Sequence, residues 1–293
     1  MTQTSHVEIL DFYRQPDAME SAGARVALFD GLPDDVASLA RVLQGLLIHQ
    51  HIAPAYGETL TASRIAEVQA RPVSAVLANI VGHDSRPLAA PRPPAKRVVG
   101  NCRHYSLLLV SMLRGKGVPA RARCGFGAYF TKGKFVDHWV CEYWNGKRWV
   151  MADAQIDDTQ KNLFKPDFDT LDVPRDRFVI AGDAWKSCRD GKTDPADFGI
   201  MEMNGWWFVA GNLVRDIAAL NNMVMLPWDV WGAMPQPGAA IDETAFKRFD
   251  RLAALTHDAG AHFAELRALY AQDDGLKVPP TVFNAILNRP EQI

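Results

Sequence analysis

The sequence is short of cysteine, and its four, at positions 102, 124, 141 and 188, fall into no CxxC spacing. That excludes a zinc ribbon and a dense disulfide framework, and a 293-residue chain that is 48% hydrophobic has core enough to fold without covalent staples. Each cysteine is therefore read as a thiol that serves either packing or chemistry. An excess of one charge is also missing: 32 Lys and Arg stand against 34 Asp and Glu, and the basic residues are dispersed. Binding dominated by nucleic-acid phosphates or acidic membranes is excluded on that ground. The nearest basic run, "PRPPAKR" at 91–97, is read as a solvated linker. No apolar run reaches the length of a spanning helix, and the first residues show neither a basic nor an apolar targeting region, so a cytoplasmic location is expected. Neither GxGxxG nor GxxxxGK[ST] occurs, which leaves nucleotide chemistry without support.

Three regions differ in character along the chain. Residues 1–95 look like a mainly helical extension, with an amphipathic helix over 34–53 and a second helical stretch over 62–80 broken at Arg71-Pro72. Residues 96–185 open on "VVGNC", continue as a buried helix stopped near Gly115 or Gly117, and pass into a strand near 120–125. Residues 186–293 read as loops to about 240, then one long helix over roughly 242–271. The two outer regions are expected to pack with the central one as a single unit.

Within "DHWVCEYWNGKRWVMAD", residues 137–153, Asn145-Gly146 signals a two-residue type I′ hairpin turn. Such a turn pairs Trp144 with Lys147 and, further along, sets His138 opposite Asp153 with β-carbons on the order of 5 Å apart. Alternation then sends Cys141 to the other face as a packed hydrophobe. A carboxylate that fixes one histidine tautomer leaves the other ring nitrogen to exchange a proton with a nucleophile; a hydrogen-bonded core contact is the lesser alternative for the pair alone. Cys102 suits the nucleophile's role because it opens a helix behind a plausible N-cap, Asn101, where free amides and the macrodipole favour a thiolate and an oxyanion. A buried structural cysteine is the plain alternative. Cys124, in a strand, and Cys188, in a polar loop, lack that setting.

The segments "GNCRHYSLLLVSMLRGKGVPARARCGFG" and "DHWVCEYWNGKRWVMADAQ" resemble the transglutaminase-like superfamily core over about residues 98–156: a cysteine opening a helix, an L-R-x-x-G-[IV]-P-A-R segment, an H-x-W-V strand and a W-V-x-x-D strand. The resemblance implies an α+β fold with a papain-like core, the catalytic helix packed on an antiparallel sheet and helical extensions at both ends. It also implies Cys102 as nucleophile, His138 as general base and acid, and Asp153 as orienting carboxylate. Two departures stand out. "DAQ" at 153–155 replaces the Asp-Pro-Thr of many relatives, and no tryptophan precedes Cys102 to complete the oxyanion hole, the first being Trp139. His49, Gln50, His51 and Tyr56 are the upstream polar candidates to join the Cys102 amide in that task.

A metal reading of His49, His51 and His104 fails, because two alternating histidines on a helix do not face one ligand and no zinc spacing completes the set. The acidic stretches "AQIDDTQ" and "DGKTDPAD" lack an EF-hand pattern and are read as solvated turns, and Trp206-Trp207, Trp228 and Trp231 as core more readily than a substrate groove. The expected function is cysteine-dependent acyl transfer or hydrolysis on a peptide, protein or small amide or ester, with no cofactor, metal, nucleic acid or membrane involved. A non-catalytic scaffold that retains the fold, and an arylamine N-acetyltransferase-like acyltransferase, are the alternatives.

Overall fold

A computed structural model describes residues 3–293. The chain begins with α1 (Gln3–Arg14), α2 (Val36–Leu46), the short strand β1 (Leu47–His49), α3 (Ala62–Ile65) and α4 (Val73–His83). It continues through β2 (Val98–Gly100), α5 (Cys102–Gly115), β3 (Ala120–Gly127), β4 (Phe135–Trp144), β5 (Trp149–Ala152), α6 (Asp158–Phe164) and β6 (Phe178–Ile180). The remainder is α7 (Ala181–Arg189), β7 (Phe198–Ile200), β8 (Met203–Asn204), α8 (Trp206–Leu220), β9 (Asp229–Val230), α9 (Glu243–His257), α10 (Phe263–Gln272), β10 (Thr281–Asn284) and β11 (Arg289–Gln292). The fold is α+β. Among the described residues no helix is long and apolar enough to cross a membrane.

Two compact units interleave along the chain. One holds Leu10–Ala122 and Trp139–Val173; the other holds the segment ending at Ile9, Arg123–His138 and Pro174–Ile293. The stretch read as one central region, 96–185, contributes to both. Of the four dividing points, one falls inside α1, one inside β3 and one inside β4, where composition gives no sign of a boundary, and the fourth precedes Pro174.

The first of these units is organised around α5, whose residues from Cys102 to Arg114 are all buried, with α2 and α4 packed against it. Its C-terminus closes as a Schellman motif: Gly117 N–H bonds Arg114 O at 2.9 Å, Val118 N–H bonds Leu113 O at 2.9 Å, and Gly117 takes the left-handed φ of +75° that the reversal requires. The helix expected over 34–53 stops at Leu46. Leu47–His49 pair in parallel with Val98–Gly100 instead, since "VVG" offers a fully buried strand partner to Leu47 and Ile48. His49 and His51 are thus not helical. The proline-rich link at 91–97 is largely exposed, as expected, except for Arg92, which is 2% exposed and whose guanidinium donates to the carbonyls of Asp84, Arg86, Pro87 and Leu88.

The hairpin forms with a longer turn than Asn-Gly implied. Trp144 pairs with Trp149, Glu142 with Met151 and Cys141 with Ala152, leaving residues 145–148 as the connection. Asn145 Oδ1 accepts from both Lys147 N–H and Arg148 N–H at 2.9 Å, so the asparagine closes a side-chain turn rather than entering a type I′ turn. Aromatic packing holds this register: the two tryptophan rings meet edge to face at 5.9 Å, and Arg121 lies 4.2 Å over Trp149. Continuing it places Asp153 level with Val140, not with His138. A slip of two residues leaves the alternation unchanged, so Asp153 keeps the face of Glu142 and Trp144, while Cys141 lies on the opposite one and is fully buried.

In the other unit the sheet is mixed rather than antiparallel throughout: β3 pairs β6 and β7 pairs β8 in antiparallel fashion, while β4 runs parallel to β7. At its centre is α8, buried from Phe208 to Leu220, with α7, α9 and α10 against it. This helix and α7 occupy a region read from sequence as loops, so Cys188 is helical and buried. The long helix expected over 242–271 is two: Asp258 Oδ1 takes Ala261 N–H at 2.9 Å, and that side-chain turn in "HDAGAH" separates α9 from α10. Trp185 is buried and packs against the half-buried Trp206 and Phe246, and Trp231 is buried with its indole N–H on Leu276 O.

Candidate active site

Cys102 is the first residue of α5 and 6% exposed. Asn101, in extended conformation, precedes it as N-cap, and His104 completes the cap: Asn101 N–H donates to His104 Nδ1 at 3.2 Å, and His104 Nε2 lies 3.1 Å from Ala70 O. Only an N–H satisfies a carbonyl, so Nε2 carries the proton and Nδ1 accepts. Burial drives this imidazole down to about 3, with the Arg103 charge adding to the effect, and the ring stays neutral. The Asn101 side-chain oxygen, which accepts the His104 backbone N–H in the capping box, also lies 2.8 Å from Nδ1. His104 is a capping residue with both nitrogens committed. One turn on, Ser106 Oγ donates to Cys102 O at 3.0 Å.

The parallel β1–β2 pair sets His49 level with Gly100, and Gln50 N–H donates to Gly100 O at 2.9 Å, two residues ahead of Cys102. His49 Nδ1 accepts from His51 N–H at 3.3 Å, and the Gln50 side-chain amide meets His51 Nε2 at 3.2 Å. Desolvation draws His51 toward its neutral form, in which Nε2 accepts that amide proton. Tyr56 is placed differently. Its hydroxyl donates to Asp157 Oδ1 at 2.8 Å and accepts from Gln160 Nε2 at 3.0 Å, and burial raises its phenol far above the ordinary value. With both roles of the hydroxyl filled, it is not a donor to an oxyanion.

Asp153 is 2% exposed and follows β5; its carboxylate accepts Gln155 N–H at 3.1 Å. Tyr105, on the first turn of α5, is raised well above its usual value by burial, with Tyr56, Asp157 and Asp153 adding negative charge, so Asp153 lies within electrostatic reach of that turn. A network missed in the sequence supports this loop: Gln155 Nε2 donates to Gln160 Oε1 at 2.9 Å, Gln160 Nε2 returns to Gln155 O at 3.0 Å, and Gln44 Nε2 reaches Ala154 O at 3.1 Å. The signal was the "Q" of the anomalous "DAQ". The acids of "AQIDDTQ" and "DGKTDPAD" are engaged elsewhere: Asp157 caps α6, Asp190 pairs with Lys186 and Lys192, and Asp197 pairs with Lys134. Among the described residues no group of three or more His, Cys, Asp or Glu converges on a common point.

His138, in the other unit, is 2% exposed on β4. Phe130, Tyr129 and Phe178 surround its ring edge-on, with centroids at 4.7, 5.9 and 6.2 Å. Its neighbour Asp137 turns to the opposite face, accepts from Asn212 Nδ2 at 2.7 Å, and is raised by burial against the opposing pull of Asn212 and Arg215. All four cysteines are free and buried. Burial pushes the Cys141 thiol up, and Cys188 is raised for the same reason, so neither is disposed to ionise.

Residues 90–154, the stretch that carries Cys102, His138 and Asp153, match the family model described as the transglutaminase-like superfamily. This segment is similar to the transglutaminase-like core. No curated protein matches the chain. A solved structure named "Putative Cysteine Protease from Cytophaga hutchinsonii" aligns at 15% identity and a TM-score of 0.33, over 60% of this chain and 48% of its own length. The chain thus spans about half of that structure, a likeness too slight to bear on activity. The matched segment includes β2, α5, β3, β4 and β5, whereas β1, α6 and the aromatic-rich C-terminal half lie outside it.

Proposed function

We propose that the chain is a cysteine-dependent acyl enzyme acting on amide or ester carbonyls, with Cys102 as nucleophile, His138 as base and acid and Asp153 as orienting carboxylate. The observation that carries this reading is Cys102 opening α5 inside the matched segment, where β1 sets His49 level with Gly100 and Gln50 N–H bonds the Gly100 carbonyl. The Cys102 sulfur bonds to the carbonyl carbon as its proton passes to His138, and the oxyanion is met by the Cys102 amide. Gln50 is the best second donor of the four upstream candidates, since its amide nitrogen has one N–H beyond that given to His51. Collapse breaks the bond to the leaving group, which takes the proton from His138. Water or an amine then gives up a proton to His138 and attacks the thioester, and the thiolate is released with the acid or amide product.

Alkylation by iodoacetamide, read residue by residue by mass spectrometry, tests the pairing. Cys102 should react ahead of Cys124, Cys141 and Cys188, and His138→Ala should slow it about 10²-fold near neutral pH. Equal Cys102 rates in the two proteins refute the pairing. Peptide and glutamine-containing libraries, incubated with and without added amine, then separate hydrolysis from transfer.

A further inference from the structure

We infer that Tyr129 and Phe130 form an aromatic subsite for the amine side of the substrate, so that leaving groups and acceptors bearing an aromatic or bulky apolar side chain are preferred. This rests on the role of His138 proposed above. In acyl transfer the proton-carrying imidazole must touch the leaving nitrogen, and by microscopic reversibility the incoming amine occupies the same place. Whatever borders the imidazole therefore borders the amine's substituent.

Both rings border it and both are only half-buried, unlike Phe126, Phe178 and Phe198, which are fully enclosed. They pack on each other at 4.4 Å with a 40° tilt. Gly127 permits the arrangement, because a β-carbon there would lie 2.5 Å from Phe130 Cε2 and 3.2 Å from Tyr129 Cζ. The loop carrying the rings is tied at both ends, by Ala128 N–H on Arg177 O at 2.8 Å and by Lys134 Nζ on Asp197 at 2.7 Å. A tethered loop that holds two large apolar rings partly open to solvent beside the base is organised for apolar recognition before any substrate arrives.

The test uses p-nitrophenyl acetate as acyl donor and equal concentrations of benzylamine and methylamine as competing acceptors, with Cys102→Ala giving the uncatalysed background. Mass spectrometry reads N-benzylacetamide against N-methylacetamide. The wild-type protein should favour benzylamine, and Phe130→Ala should lower the product ratio about fivefold, the scale of one lost aromatic contact. Gly127→Ala keeps both rings but displaces them and should lower it as well, which covers the case in which Phe130→Ala fails to fold. A ratio unchanged in both variants overturns the subsite, as does an acetylated Cys102 that discharges to water without discriminating between amines. No acetylation of Cys102 in the wild type refutes the proposed function itself, and the subsite falls with it.

Discussion

Replacing Glu20 by glutamine should stabilise the protein in a pH-dependent way. Glu20 is 1% exposed, beneath α5: its own carbonyl accepts Ser111 Oγ at 2.6 Å, but Oε2 has no hydrogen-bond partner. Arg114 Nη1 approaches Oε2 only to 3.7 Å and donates to Gln15 O instead, so this charge contact does not offset the loss of water. Burial accordingly raises the carboxyl from 4.5 to about 7, with Asp17 pushing the same way and Arg114 and Arg103 opposing. A folded-state value above the unfolded one means that the native protein binds the extra proton. Stability therefore falls as pH rises through the window from 4.5 to about 7, and the full cost is present above it. The displacement corresponds to about 3 kcal/mol. Urea unfolding at pH 5 and pH 8 measures it: relative to wild type, Glu20→Gln should gain roughly 2 to 3 kcal/mol more at the higher pH. Comparing the two pH values removes any fixed cost of burying the amide. An equal difference at both would refute the reasoning.

Two further substitutions probe the supports of the site. Tyr56→Phe removes a hydroxyl that donates to a carboxylate at 2.8 Å and accepts from a buried amide at 3.0 Å, and should cost about 2 kcal/mol in urea unfolding. No measurable loss would mean the network does not hold the loop after Asp153. Asp216→Ala removes the buried carboxylate that Arg123 meets at 3.0 and 2.8 Å and that the Cys124 amide bonds at 2.9 Å; thermal or urea unfolding should report a loss of roughly 3 to 5 kcal/mol.

Local chemistry was legible where it is decided locally. Asn101 ahead of Cys102, Gly117 after the helix and the strand alternation around Cys141 each follow from one or two residues and their neighbours, and each took its expected position. The hairpin register was not of that kind, because the Trp144–Trp149 pair and the Arg121 stacked on it outweigh the turn preference of Asn-Gly. A similar competition hid β1: Leu47 and Ile48 continue a helical pattern, and only the distant "VVG" turns them into a strand. Helix α8 escaped notice for a different reason. Buried on every side from Phe208 onward, it turns even its polar residues, Asn212, Arg215 and Asp216, into the interior, so no solvated face marks it in the sequence. Tyr56, Gln155 and Gln160 assemble across about 100 residues of chain through side-chain amides that carry no spacing rule.

The turn at residues 145–148 sits outside the paired ladder, and each residue added to or removed from it moves β5 along β4 by one step. Odd changes reverse the pleat, turning Asp153 toward the side of Cys141 and bringing Ala152 to the other. Even changes conserve every facing. The hairpin is thus tolerant of length variation in units of two and intolerant of single insertions, a rule of arithmetic parity that governs which remodelled turns can keep Asp153 on its present face.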